Sequence, residues 1–196
     1  MVAVRDSHLT NPEDFDAKTW TSSLALTSTE QDELFELYSQ LALKEAAESL
    51  EDEAELRYPL LAYGVEMIEI LMTMDMDMET LKVALLYPFF EAKLYDNEEI
   101  ETLFGSKLLP LLVAVVEMDA IRTLQAKSQK PSETQIDNLR RMLMAIVDDV
   151  RAIVIKLAER ICHLRQVKNA SEEERVLAAK EIADIYSPLA NRLGIG

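Results

Sequence analysis

Metal-assisted or proton-transfer chemistry needs imidazoles, thiols and carboxylates at fixed spacing, and this 196-residue chain is rich only in the last. It has two histidines, His8 and His163, one cysteine, Cys162, and 36 acidic residues. A hydrolytic metal site holds its ion through several N and O ligands and leaves one position for water. His8 sits in an N-terminal arm and His163 follows Cys162, so no His/Asp cluster can be assembled. Cys162 and His163 do not combine with Glu159 either, because adjacent helix positions diverge by roughly 100°. Without a His–carboxylate relay around it, Cys162 reads as a small buried side chain. A set of polar groups, Lys156, Glu159, Arg160 and His163, lies at helical spacing on one face with Asp149. Lys156, Arg160 and Arg165 could hold phosphates. The plainer reading is a solvated face, or ion pairs with Asp149 and Glu159. Tyr63 and Tyr87 read as core filling ahead of pocket lining.

The elements that would position these groups are helices. Nearly half of the residues are apolar, and only four glycines and six prolines supply turns. An arm over 1–27 is expected to be loose, pinned by Phe15 and Trp20. Ser28-Thr-Glu-Gln31 has the form of a capping box and opens a helix to about Leu50. Further helices are expected from Pro59, from Met78 to Phe89 with Pro88 bending or ending it, and from Asp96 to Phe104-Gly105. Another runs from Leu108 to Leu124. Ser132-Glu-Thr-Gln135 caps the longest, about 133–168. Its apolar stripe runs through Leu139, Met142, Leu143, Ile146, Val150, Ile153, Leu157, Ile161 and Leu164. Ser171-Glu-Glu-Glu174 caps a last helix to about Ala190. The expected fold is all-α, a bundle of six or seven helices.

The formal charge is −16, which disfavours direct nucleic-acid binding. It is uneven: Glu30–Glu55 holds ten acids and one base, and Arg140–Lys168 holds seven bases and three acids. No segment has the length or apolarity of a membrane span or a secretory signal. With a lone cysteine, this points to a cytoplasmic protein.

Two longer motifs are specific. The stretch Asn138 to Arg160, ending Lys156-Leu-Ala-Glu-Arg160, is similar to a RelA/SpoT alarmone-family helix that ends Lys-Leu-Ala-Asp-Arg. Ile185-Tyr-Ser-Pro-Leu-Ala-Asn-Arg-Leu-Gly-Ile195 resembles the family's Tyr-Ala-Pro-Leu-Ala-His-Arg-Leu-Gly. Phe104-Gly105 before an apolar helix is a third match. Met1-Val-Ala-Val-Arg5 and Phe15-Asp-Ala-Lys-Thr-Trp20 resemble the start of the family's long GTP pyrophosphokinases. The resemblance covers essentially the whole chain and implies an HD-type hydrolase domain over 28–170. The helix 171–196 would lead to a synthetase domain beyond the chain, which stops about where that domain should begin.

In bifunctional members this domain holds one Mn²⁺ through a first His, a His-Asp pair and a distant Asp, and removes pyrophosphate from (p)ppGpp. The resemblance places these ligands at Tyr63, Tyr87, Pro88 and Glu159, so one carboxylate remains of four ligands. The catalytic Glu-Asp pair falls on Glu91 and Ala92. The basic nucleotide loop falls on Glu51 to Arg57, which is acidic here, and the family's His-Asn on Cys162-His163. The implied domain has no metal, no cofactor and no activity of its own. It regulates a pyrophosphate-transferring synthetase that acts in the stringent response, and binds ribosome and uncharged tRNA only through regions outside this chain. Lys156 and Arg160 keep the family's charges, so a nucleotide-sensing module without turnover is the alternative. An active hydrolase with rebuilt ligands is the least favoured reading.

Overall fold

The computed structural model describes residues 15–51, 59–126, 149–187, 190, 191 and 194. Eight α-helices are present among them, with no strand. They are α1 (Ala17–Ser23), α2 (Ser28–Glu51), α3 (Leu60–Met72), α4 (Met78–Glu91), α5 (Asn97–Phe104), α6 (Leu108–Ala126), α7 (Val150–Gln166) and α8 (Glu172–Glu181). A 3₁₀ turn (Val167–Asn169) joins α7 to α8, and a π-helical turn (Ile182–Tyr186) follows α8. None of these helices is long and apolar enough to cross a membrane. The chain divides into two compact units, Met1–Ile100 and Glu101–Gly196.

In the first unit the described part of the arm expected to be loose carries a short helix, α1, while residues 1–14 lie outside the described residues. Asp16 caps α1, its carboxylate accepting from the Lys18 N–H at 3.1 Å. Phe15, Trp20 and Tyr38 of α2 then close an aromatic cluster with ring centroids 5.7–6.2 Å apart. Apolar area buried by that cluster offsets the ordering of so short a helix. The capping box of α2 lies one residue before the expected one. Thr27 Oγ1 accepts from the Glu30 N–H at 3.4 Å, and Glu30 accepts from the Thr27 N–H at 2.8 Å. Gln31 is left to donate to the Leu24 and Leu26 carbonyls of the preceding turn.

α3 begins after Pro59, which offers no side-chain cap. Glu45 of α2 does that work, accepting from the Leu61 N–H at 3.2 Å. Burial raises the Glu45 carboxyl above its usual range, partly countered by those backbone donors. α3 and α4 pack tightly because Gly64 lets the backbones meet. A Cβ there would lie 2.9 Å from the Leu85 carbonyl oxygen and 3.0 Å from its Cα. Pro88 does not end α4, which continues to Glu91. It ends in a Schellman turn with Lys93 at φ +60, the Leu94 and Lys93 N–H groups donating to Phe89 and Phe90. Asp96 and Glu99 form the expected capping box of α5.

In the second unit α6 packs on α7, and α7 on α8. Ala178 is a buried contact of α8, and Ser171 and Glu174 cap it reciprocally as expected. The expected unbroken helix over 133–168 is corrected at Asp149, which is extended (φ −114, ψ 109) and caps α7. Its part before Asp149, with Ser132 and Leu139 to Ile146, lies outside the described residues. Asp is a strong N-cap because its carboxylate competes with the helix for backbone donors. Here it also holds the Arg151 guanidinium at 2.6–3.0 Å.

Candidate functional site

The positions singled out by sequence fall in both units. In the first, Tyr63 lies in α3 and is half-buried, while Tyr87 and Pro88 lie in α4 and are buried, Tyr87 fully. Glu91 and Ala92 end α4 and are exposed, Ala92 as its C-cap. Sequence reasoning missed Glu66, three positions after Tyr63, which is buried to 2% exposure. Its signal was a carboxylate inside a largely apolar run. Residues 52–58, with Arg57, and His8 lie outside the described residues.

In the second unit α7 brings Lys156, Glu159 and Arg160 together. Spacing of three and four residues puts 156, 159 and 160 on neighbouring turns of one face. Lys156 Nζ lies 3.1 Å from Glu159 Oε2, and Arg160 Nε donates to the same oxygen at 2.5 Å. Arg160 Nη2 donates to Glu159 Oε1, completing a bidentate fork. The expected solvated face is not observed: Lys156 is 0% and Glu159 and Arg160 each 3% exposed. The ion pairs run to Glu159; the second expected partner, Asp149, holds Arg151. Burial alone would push the Glu159 carboxyl up. The charges of Lys156 and Arg160, with their hydrogen bonds, outweigh it and hold the carboxyl at about 2. It is therefore an anion at any ordinary pH.

Cys162 is fully buried and His163 half-buried. Among the described residues no group of three His, Cys, Asp or Glu side chains is arranged to hold a metal ion.

The model of the HD domain matches residues 33–196. The chain belongs to the HD domain family. This HD domain is 47% identical, over its whole length, to 26% of a GTP pyrophosphokinase of Escherichia coli strain K12. It is 46% identical over the same share to a GTP pyrophosphokinase of Haemophilus influenzae. Over 70% of its length it is 37% identical to 19% of the bifunctional (p)ppGpp synthase/hydrolase SpoT of E. coli K12. The HD domain is thus of the RelA/SpoT type, and the chain spans about a quarter of the length of these relatives.

Proposed function

We propose that this HD domain is a pseudo-hydrolase, a catalytically inactive regulatory domain of a RelA-type (p)ppGpp synthetase. The single observation that carries the reading is the state of Glu159. It is the one carboxylate at the four positions that the family resemblance assigns to metal ligands. Both its oxygens are engaged by Lys156 and Arg160. A divalent ion would have to compete with two buried cations for it. Pro88 has no side-chain donor, Tyr87 presents a buried phenol, and Ala92 stands where a catalytic carboxylate would act. These residues do not fit a hydrolytic metal centre, so no hydrolytic step is assigned to them.

What remains is a folded helical domain whose part is to restrain an attached synthetase during the stringent response. Its output would pass through α8 and the residues after it. The test is release of pyrophosphate from ppGpp by the purified chain with Mn²⁺. No release is expected, and release that a chelator abolishes would sink the proposal. Nucleotide sensing through Lys156 and Arg160 is the second reading. It is weakened because phosphate would have to displace Glu159 from a site closed to water. Calorimetric heat with GDP or ppGpp, removed by Arg160→Ala, would restore it.

A further inference from the structure

Four of the nine methionines fall within seven residues. Met72 ends α3, Met74 and Met76 lie in the turn that follows, and Met78 opens α4. Thr73, Asp75 and Asp77 alternate with them, and burial follows the same alternation. The four methionines are half-buried and the three polar residues are exposed. The turn bends at Asp75, with φ +53. Asp77 caps α4, its carboxylate accepting from the Thr80 N–H at 2.8 Å. Leu71 and Leu81, on either side of the turn, are fully buried. The four thioethers thus stand between apolar interior and water, where an unbranched side chain suits an irregular turn. Met67 and Met118 differ, at 0% and 1% exposed, and Cys162 is fully buried.

We propose that this turn is a site of reversible methionine oxidation by hydrogen peroxide, an uncharged oxidant. A thioether sulfur gives an electron pair to one peroxide oxygen, and the O–O bond breaks. The sulfoxide forms, and the other oxygen leaves as water with both protons. Sulfur is oxidised by two electrons and the peroxide is reduced by two. A dithiol-dependent sulfoxide reductase reverses the step, giving thioether, disulfide and water. Glu69, Asp75, Asp77 and Glu79 surround the turn in sequence and disfavour an anionic oxidant. The nearest base in sequence, Lys82, is paired with Glu33. A sulfoxide is polar where the thioether is apolar, so its formation loosens the turn end of the α3–α4 pair. The site goes beyond the hydrolase question and does not depend on its answer.

The test is hydrogen peroxide treatment of the whole 196-residue chain, read by peptide mass spectrometry and thermal unfolding. Met72, Met74, Met76 and Met78 should gain oxygen at least about tenfold faster than Met67 and Met118, which react only after local opening. The thermal midpoint should fall by at least about 3 °C as the turn gains oxygen. Sulfoxide reductase with a dithiol should restore it. Met72→Leu, Met74→Leu, Met76→Leu and Met78→Leu combined keep the apolar volume, and that variant should hold its midpoint through the same treatment. Met67 or Met118 reacting as fast as the turn, a midpoint unmoved once the turn is oxidised, or an equal fall in the Leu variant would overturn the site. Should the combined variant not fold, the parent decides: its midpoint must track sulfoxide at the turn and recover with the reductase.

Discussion

Glu159 is held as an anion out of water by two cations, and the balance has a measurable sign. A free Glu titrates at about 4.3, whereas here the carboxyl is held at about 2. A depressed carboxyl contributes stability that is fully present above its unfolded value and is lost as pH falls through the folded one. The expected contribution is about 3 kcal/mol, lost between about pH 4 and pH 2. Glu159→Gln removes the charge and leaves Lys156 and Arg160 buried without it, which costs about 3 kcal/mol or more. At pH 7 the thermal midpoint should fall by roughly 6–12 °C, and the gap to the parent should narrow as pH drops below about 4. An unchanged midpoint, or a gap that widens in acid, would contradict the pairing. The spacing of 156, 159 and 160 was legible in the sequence, but their burial was not. Ala152, Ile155 and Cys162, all buried, flank that face, and apolar neighbours let a charged face turn inward where one carboxylate pairs with both cations.

α3 and α4 carry three of the four positions that the resemblance assigns to metal ligands, and Gly64 sets the distance between the two helices. A methyl group there meets the backbone of Leu85 at 2.9–3.0 Å, and backbone cannot rotate away as a side-chain tip can. Gly64→Ala should therefore cost about 2–3 kcal/mol through forced separation of the helices. Ala is otherwise the better helix former by about 1 kcal/mol, so the sign decides between propensity and packing. Chemical denaturation measures it, and a stabilised variant would refute the close approach. Elements were more legible than contacts. The caps at Asp96–Glu99 and Ser171–Glu174 stand where the pattern put them, because each side chain reaches only a few residues. Thr27 displaced Ser28 as the cap of α2 because Glu30 sits three residues after Thr27, and the Gln expected to reach back serves the turn before it. α1 escaped notice since seven residues carry no periodic signal, and it is the contact of Trp20 with Tyr38 that makes it a helix. Pro88 was expected to bend or end α4. Its missing N–H and its ring act on the Ala84 carbonyl four residues earlier, and the helix still continues past it to Glu91.

At the scale of the whole molecule, charge and helix content limit what the domain can do alone. A net charge of −16 disfavours direct nucleic-acid binding, and on the proposed reading the role of the domain is exerted through an attached one. On the regulatory reading, the synthetase of a longer enzyme carrying this chain is restrained by it. An allosteric restraint is a coupling free energy of about 1–3 kcal/mol, which is roughly 5–150-fold in an equilibrium. Deleting residues 1–196 from such an enzyme should raise basal (p)ppGpp synthesis at least about fivefold. Restoring the domain with Glu159→Gln should give a partial release that follows its loss of stability. Restoring it with Glu91→Gln should leave the restraint intact, because that carboxylate is exposed at a helix end. The comparison separates a restraint built on the fold from one built on residual chemistry. Equal synthesis with and without the domain would remove the regulatory reading and leave a structural one, while full release by Glu91→Gln would return attention to catalysis.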